Sequence, residues 1–322
     1  MRTEGRDSKL GVVLLNMGGA ADTAEVRVFL RGMFRDPAIL PLPAPLRALV
    51  AFLISRTRSL MVRKQYAQIG GGSPILEITR EQAQALEKHL ERAGIQAEVT
   101  VAMRYTPPYA EDALRALSPE AQRRIVALPL YPQFSLTTSG SSLRDLREAA
   151  EQLGLDAPIE IENWYDDPRY LDDLATRINA ALGEAPEGTV VLFSAHGLPE
   201  RQIRIGDPYR EQIEETVSEI ARRLGEVECR LAFQSKIGPV RWIEPSTLEV
   251  TAELGSERRP VRVVPISFVS ENVETLYELD VEVARHARNH GVSWFSRLPT
   301  QNAGERFVHA LAEIVRRAVD ED

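Results

Sequence analysis

The sequence predicts an α/β protein built from two similar domains, each a parallel β-sheet flanked by helices. Apolar runs suited to buried strands alternate with stretches of helical periodicity along all 322 residues, which is the pattern of βα units. A chain of this length is long enough for two domains of ordinary size. The two halves also resemble each other, since residues 11–18 are similar to 189–196 and residues 129–135 are similar to 265–270.

Strands are predicted where a short apolar run is bounded by turn residues, and helices where apolar residues recur at helical spacing. In chain order, the predicted strands are 11–17, 97–103, 124–130, 159–161, 189–195, 230–233, 261–268 and 292–295. The predicted helices are 23–33, 75–93, 111–117, 141–153, 170–182, 209–224, 273–289 and 304–319. Short connections between them are typical of parallel sheets with crossover helices.

This alternation divides the chain into domains at 9–165 and 166–322, and we expect the last helix to pack back on the first domain. The N-terminal half is longer because of an insertion at about 37–72. Part of it, 40–54, is apolar and interrupted by prolines, and the chain then turns basic at Arg56, Arg58, Arg63 and Lys64. It is interpreted as a loop and helix covering the core, or as an apolar lip whose basic edge meets anionic substrate groups or lipid headgroups.

Composition excludes several classes of protein. There are 39 basic and 47 acidic residues, a net charge of −8, which disfavours nucleic acid as a partner because phosphate binding needs a basic face. The single cysteine, Cys229, cannot form a disulfide framework or a thiolate-ligated zinc or iron–sulfur site. Residues 1–9 lack a signal-peptide pattern and no apolar run is long enough to span a bilayer, so we expect a cytoplasmic protein.

One histidine follows directly on a predicted buried strand. The run Val190-Val-Leu-Phe-Ser-Ala-His-Gly-Leu-Pro199 places His196 at the carboxyl end of a strand, where open α/β sheets bind ligands. A neutral imidazole there can accept a proton or ligate a divalent metal. The alternative is a buried histidine that holds a turn, and Gly197 and Pro199 argue against it because they favour an accessible turn.

His286 and His290 have metal-ligand spacing, but their polar neighbours indicate a solvated helix end.

A row of carboxylates follows the last long strand. At 100° per residue Glu271, Glu274, Glu278 and Glu282 form one ridge of the predicted helix. A solvated acidic face that complements the helix dipole is the alternative. The functional interpretation rests on position, because Glu271 and Glu274 begin the helix at the end of a strand.

An ordered series of motifs makes the chain resemble the ferrochelatase family over roughly residues 10–318. The motifs are Leu14-Leu-Asn-Met-Gly-Gly19, Gln65-Tyr-Ala-Gln-Ile-Gly-Gly-Gly-Ser-Pro-Ile75, Leu130-Tyr-Pro-Gln-Phe-Ser135, Ser194-Ala-His-Gly-Leu-Pro199, Gly206-Asp-Pro-Tyr209, Phe233-Gln-Ser-Lys-Ile-Gly-Pro239 with Trp242, and Glu274-Thr-Leu-Tyr-Glu-Leu-Asp280. The resemblance implies two Rossmann-like, chelatase-type domains with a porphyrin cleft between them. It also implies an enzyme that inserts Fe²⁺ into protoporphyrin IX, the terminal step of haem synthesis.

The resemblance assigns roles to individual residues. His196 and Glu274 match the active-site pair that contacts the metal or takes up the pyrrole protons, and Glu271 and Glu278 match neighbours on an acidic path for protons or metal. The positions that match porphyrin contacts are Met17, Arg58, Tyr66, Ser73 and Trp242. The implied partners are protoporphyrin IX and Fe²⁺, with a peripheral contact to the inner face of the membrane through the lip at 40–64.

Two departures from the family pattern matter. Asn272 stands where animal relatives carry a histidine, which argues against a histidine relay on the acidic path. Leu136 stands where some relatives place an iron–sulfur cysteine, so the type without a cluster is expected, with no cofactor beyond the substrate Fe²⁺.

Three alternatives stay open at this point. A chelatase acting on coproporphyrin III is the nearest, and it is less favoured because an apolar lip suits a less charged substrate. A non-catalytic porphyrin or haem carrier on the same fold would need neither His196 nor Glu274. A nucleotide-binding α/β protein is disfavoured because the glycines at 70–72 lack the phosphate-loop pattern.

Overall fold

The computed structural model describes residues 9–235, 238 and 240–322. The chain forms two compact units. The N-terminal unit comprises the described chain up to Tyr131, Ser135–Trp164 and Asn302–Asp322, and the C-terminal unit comprises Pro132–Phe134 and Tyr165–Gln301.

The strands and helices follow one another in regular alternation. The strands are β1 Leu10–Asn16, β2 Ala97–Met103, β3 Ile125–Pro129, β4 Ile159–Glu160, β5 Val190–His196, β6 Cys229–Gln234, β7 Pro260–Pro265 and β8 Trp294–Arg297. The α-helices are α1 Val26–Arg35, α2 Ala44–Gln68, α3 Ile75–Arg92, α4 Ala110–Ala116, α5 Ser139–Gln152, α6 Pro168–Leu182, α7 Glu200–Arg204, α8 Tyr209–Leu224, α9 Thr247–Ser256, α10 Ala284–Asn289 and α11 Glu305–Glu321. A 3₁₀ turn spans Ala121–Arg123, and a π-helix spans Glu274–Val283.

The two units contain sheets of the same topology. One sheet has the strand order β2-β1-β3-β4 and the other β6-β5-β7-β8, and every pairing is parallel. The prediction of two parallel sheets flanked by helices is therefore confirmed. Leu15 pairs with Pro129 in the first sheet as Ser194 pairs with Pro265 in the second. By this register, Met17 and His196 occupy equivalent positions in the two halves.

The central strands are buried on both faces, as parallel sheets require. Residues 12–14 of β1 and 190–193 of β5 have no exposed surface. The C-terminal helix α11 packs on α3 and β3 of the N-terminal unit. There Phe307 lies 5.9 Å from the ring of Trp164, whose Nε1 donates to the Pro129 carbonyl oxygen at 2.8 Å.

Some elements differ from the sequence-based expectation. The insertion at 37–72 holds one 25-residue helix, α2, with Pro43 as the residue before it. Proline is well tolerated at a helix start, so the prolines precede or open the helix and do not break it. Helix α9 was not predicted, although Ser246 and Glu249 form a capping box at its start that the sequence itself contains.

None of the helices in the described ranges is long and apolar enough to cross a membrane.

Candidate functional site

A histidine and a glutamate meet at the carboxyl edge of the C-terminal sheet. His196 is the last residue of β5, and its Nδ1 lies 2.7 Å from Oε2 of Glu274, the first residue of the π-helix. The side chains are 30% and 17% exposed, respectively. The structure thus brings together the two residues that the sequence predicted as the reactive pair, although 78 positions separate them.

The backbone of His196 is held on both sides. Its N–H donates to Ser267 Oγ at 2.9 Å, and the Tyr209 hydroxyl donates to its carbonyl oxygen at 3.0 Å. The ring of Phe268 stands edge-on to the imidazole, with centroids 6.3 Å apart. With Nδ1 donating to the Glu274 carboxylate, Nε2 is the basic nitrogen of the neutral ring.

The carboxylate also sets the proton affinity of the imidazole. Burial by itself lowers the pKa of His196, because a charged ring is poorly solvated there. The negative charge and hydrogen bond of Glu274 outweigh burial, with a smaller contribution from Glu278, and the pKa lies above its ordinary value. The ring is therefore disposed to take up a proton.

Glu278 lies in a polar network one turn further along the π-helix. Its carboxylate accepts hydrogen bonds from Gln234 Nε2 at 3.2 Å and from Ser235 Oγ. Burial and the nearby charge of Glu274 raise the pKa of Glu278 to about 7, against the hydrogen bond from Ser235. A carboxyl with such a pKa exchanges its proton at neutral pH.

Gln234 and Ser235 are held in position for this contact. The buried Ser194 hydroxyl donates to Gln234 Oε1 at 2.9 Å, and it lies 2.8 Å from Thr247 Oγ1. Ser235 has a φ of 66°, a left-handed conformation that residues other than glycine seldom adopt. Such conformations concentrate at ligand sites, where the surrounding structure holds them.

Glu271 is anchored by an arginine that the sequence analysis did not single out. Arg297 Nη1 donates to Glu271 Oε1 at 2.9 Å, and its Nε and Nη2 form a fork with Asp280 at 2.8 and 2.7 Å. The Thr300 N–H also donates to Glu271 at 2.9 Å. Burial alone would raise the pKa of Glu271, but the charge of Arg297 and these hydrogen bonds keep the pKa below its usual range.

The α-helical geometry predicted for the four carboxylates is wrong. It assumed 100° per residue, whereas 274–283 is a π-helix, in which each N–H bonds to the fifth carbonyl before it and the turn is wider. Glu274 and Glu278 have separate partners, Glu271 is clamped before the helix starts, and Glu282 is exposed. π-helical segments are rare and are frequently found at functional sites.

Asn272, which stands where animal relatives carry a histidine, has a structural role. It is 8% exposed, and its Oδ1 accepts the Glu274 N–H at 2.7 Å. Its own N–H donates to Thr275 Oγ1 at 3.0 Å. Asn272 therefore helps to start the helix that carries Glu274.

Trp242 lies beside the turn that follows His196. It forms an antiparallel bridge with Pro199, and Ile243 N–H donates to the Leu198 carbonyl oxygen at 3.0 Å. A Cβ at Gly197 would come within 2.5 Å of the Gln234 carbonyl oxygen and 3.3 Å of Trp242 Cε3. Only glycine fits there without a shift. Lys236, Ile237 and Pro239 of the preceding motif lie outside the described residues.

The remaining predicted porphyrin contacts belong to the N-terminal unit. Met17 follows β1, and Ser73 lies beside Gly19, two residues further along the chain, because a Cβ at Gly19 would be 2.7 Å from Ser73 Oγ. Tyr66 and Arg58 are on α2, where Tyr66 is buried at 1% exposure and Arg58 is half-buried. Met17 and Ser73 therefore share the carboxyl edge of the N-terminal sheet.

Replacement of Arg297 by Met is expected to destabilise the chain and weaken the site. The side chain of Arg297 is 7% exposed, and breaking a buried ion pair leaves an uncompensated charge that costs about 3 kcal/mol or more. Chemical denaturation would measure the loss. Arg115→Met is the matched control, because Arg115 pairs with Glu111 at 2.8 Å but is 63% exposed, and such pairs contribute below about 1 kcal/mol. Equal losses in the two variants would contradict the anchoring role.

The fold identifies the class. The chain has the chelatase fold, which it shares with CbiX, the terminal enzyme for sirohaem biosynthesis in denitrifying bacteria, at a TM-score of 0.52 and 16% identity over 96% of this chain and 99% of CbiX. It shares it also with the sirohydrochlorin chelatase SirB of Bacillus subtilis subspecies spizizenii, solved with cobalt, at a TM-score of 0.56 and 13% identity over 97% of this chain and 96% of SirB.

The sequence comparisons go further, and the chain belongs to the ferrochelatase family. The family model for ferrochelatase matches residues 9–319. The ferrochelatase of Gloeothece citriformis is 42% identical over 98% of this chain and 84% of its own length. The ferrochelatase of Geotalea daltonii is 42% identical over 96% of this chain and 97% of its own length. The ferrochelatase of Synechococcus sp. strain JA-3-3Ab is 44% identical over 96% of this chain and 93% of its own length.

Proposed function

We propose that this chain inserts Fe²⁺ into protoporphyrin IX to give protohaem, with release of two protons. Its family indicates the reaction class, the insertion of a metal into a porphyrin at the final step of haem biosynthesis. The observation that supports the chemistry most directly is the 2.7 Å contact between His196 Nδ1 and Glu274 Oε2 at the carboxyl edge of β5.

Metal insertion requires that two pyrrole protons leave while a divalent cation reaches the same four nitrogens. In this proposal His196 Nε2 accepts the two protons one after the other, and each leaves by way of Glu278 before the next is taken up. The imidazolium that forms is stabilised by the Glu274 carboxylate, which also fixes the ring orientation and the tautomer. The raised pKa of His196, in which Glu274 outweighs burial, favours proton uptake by this residue.

Imidazole nitrogen and carboxylate oxygen also suit Fe²⁺ as ligands. We assign the metal contact to Glu274 and to His196 while its Nε2 is unprotonated. Within the described ranges, no group of three or more histidine, cysteine or acidic side chains is placed to hold a metal. Having only two ligands from the protein, His196 and Glu274, suits a substrate ion, because the ion has to be passed on to the porphyrin nitrogens.

We propose Glu278 as the next group on a path for protons or metal, since its pKa of about 7, raised by burial and by Glu274, permits exchange at neutral pH. Glu271 was predicted for the same path. Its ion pair with Arg297 at 2.9 Å favours an anchoring contribution, in which it adds negative charge to the path and holds the start of the π-helix.

The porphyrin is proposed to contact Met17, Arg58, Tyr66, Ser73 and Trp242. If several hundred Å² of apolar macrocycle surface are buried, the gross transfer free energy is about 10 kcal/mol at ~25 cal/mol/Å². The costs of association consume much of it. The remainder is sufficient for out-of-plane bending of the macrocycle, in the ~1–5 kcal/mol range of substrate strain, which would expose the nitrogen lone pairs.

The test is anaerobic Fe²⁺ insertion followed by absorbance, with protoporphyrin IX and coproporphyrin III in parallel. Faster turnover of protoporphyrin supports the proposal. Faster turnover of coproporphyrin III would identify that porphyrin as the substrate instead. It would also give Arg56, Arg58 and Arg63 a role in binding the additional propionates. Tight binding of either porphyrin without insertion would favour a carrier.

We further propose that the enzyme works without an iron–sulfur cluster. The chain has one cysteine, whereas a cluster needs several thiolates. The residue at the expected cluster position is Leu136, which is 40% exposed. Analysis of the protein purified without oxygen is expected to find iron and sulfide contents near zero.

We also propose that the lip at 40–64 touches the membrane surface, in a cytoplasmic protein with no nucleic-acid partner. Helix α2 exposes five large apolar side chains, each 46–67% accessible: Leu46, Leu49, Leu53, Leu60 and Met61. An exposed apolar row with basic neighbours such as Arg56 is typical of helices that lie in a lipid interface. Failure to sediment with anionic vesicles at low salt would remove this proposal.

A further inference from the structure

Two histidines from distant parts of the chain face each other in the N-terminal unit. His89 lies near the end of α3 and His309 in the first half of α11, 220 residues apart in sequence. His309 Nδ1 is 3.0 Å from His89 Nε2, and the rings meet edge to face with centroids 5.0 Å apart. His309 is exposed and His89 is half-buried, so solvent reaches the pair.

This separation matches that of two ligands on one metal ion. Imidazole nitrogens bind zinc at ~2.0–2.1 Å, so two such nitrogens lie ~2.8–3.0 Å apart at a right angle and ~3.3–3.4 Å apart at a tetrahedral angle. The observed 3.0 Å corresponds to the smaller of these angles. A hydrogen bond between the two rings would give the same distance, so the case for a metal ion also depends on the groups around the pair.

Two carboxylates near the pair oppose the positive charge of Arg92, which also acts on His89. Glu305 and Glu313 stand four positions before and after His309 on α11, so all three lie on neighbouring turns of one helix face. Both carboxylates act electrostatically on His89. Glu313 also pairs with Arg316 at 3.0 Å. As placed, no described group of three such side chains forms a complete ligand set, so the third ligand has to come from a rotation of a glutamate or from water.

We propose that His89 and His309 form a binding site for a divalent transition-metal ion of the zinc type, completed by Glu305 or Glu313. Imidazole nitrogens select Zn²⁺, Ni²⁺ and Cu²⁺ over Mg²⁺ and Ca²⁺. The bound ion would join α3 to α11 and so tie the C-terminal helix to the N-terminal unit. The proposal does not depend on the insertion chemistry, because His196 and Glu274 belong to the C-terminal unit.

The test uses Zn²⁺ itself, added to the full chain without a histidine tag. The starting protein carries His196→Ala, which removes binding at the reactive pair. Isothermal titration is expected to detect one site in this protein and at least a tenfold loss of affinity after His89→Ala and His309→Ala are added. Zn²⁺ should raise the thermal midpoint only while the pair is intact, because an ion that binds the folded state stabilises it.

The matched control replaces His286 and His290, whose rings stack at 3.9 Å on α10 of the C-terminal unit. Zn²⁺ affinity should survive those changes. Equal binding with and without His89 and His309, or loss of binding only in the control, would overturn the proposal. His309→Gln alone, which preserves helix propensity but removes a ligand, gives the same answer if the double variant folds poorly.

Discussion

His196→Ala is expected to lower kcat for Fe²⁺ insertion by at least about 100-fold while porphyrin affinity changes little. General-base catalysis contributes ~10²–10⁴ in rate, and in our proposal the same ring also contacts the metal. The structure supports a large effect because Glu274 fixes the imidazole at 2.7 Å and two hydrogen bonds hold the backbone of His196. Steady-state rates and porphyrin fluorescence quenching measure the two quantities separately.

The matched control for this variant is His290→Ala. His290 is an exposed histidine of the same unit, and its ring contacts its own helix end, with the His286 carbonyl oxygen at 2.9 Å and the His286 ring at 3.9 Å. The His290→Ala variant should keep the Fe²⁺ insertion rate of the unaltered protein. Normal insertion by His196→Ala, with normal porphyrin binding, would remove His196 from the mechanism.

Glu274→Gln is expected to reduce insertion by about two orders of magnitude, within the range for loss of a general-base partner. The amide can still accept a hydrogen bond from His196 Nδ1, so the ring orientation is largely kept. What is lost is the charge that, in our proposal, stabilises the imidazolium and attracts Fe²⁺. A higher Fe²⁺ requirement together with a lower kcat would separate this variant from one that merely misplaces the ring.

Glu282→Gln is the control for that substitution. Glu282 belongs to the same π-helix but is exposed, and its charge is the weakest of those that act on Glu278, so removing it should leave the rate within about twofold. If Glu274→Gln retained full activity, the negative charge beside His196 would be unnecessary, and the pair would serve only to orient the ring.

Much of the fold could be predicted because strands and helices leave local signals. β2 was predicted at its observed bounds and α8 likewise, since apolar periodicity is decided within a few residues. The end of β7 was misplaced, as the strand stops at Pro265 although the apolar run continues to 268. A run of apolar residues indicates which residues are buried, and the chain stays buried beyond the last hydrogen bond that the strand makes to its neighbour in the sheet.

The site was predictable in part for the same reason. A histidine directly after a buried strand has a position fixed by the sheet, which is why His196 stands out in the sequence. Arg297 carries no such signal, because an arginine near a strand end is usually solvated. Its meeting with Glu271 and Asp280 depends on how β8 lies beside β7.

Hydrophobic patterning acts locally, so the two parallel sheets and the strand end that carries His196 follow from the sequence. The contact of Glu274 with His196, the ion pair of Arg297 with Glu271, and the winding of 274–283 as a π-helix and not an α-helix were established in the folded structure. Those outcomes depend on packing and charge between residues distant in the chain. Desolvation and pairing energies at such contacts exceed the small local preferences of the backbone.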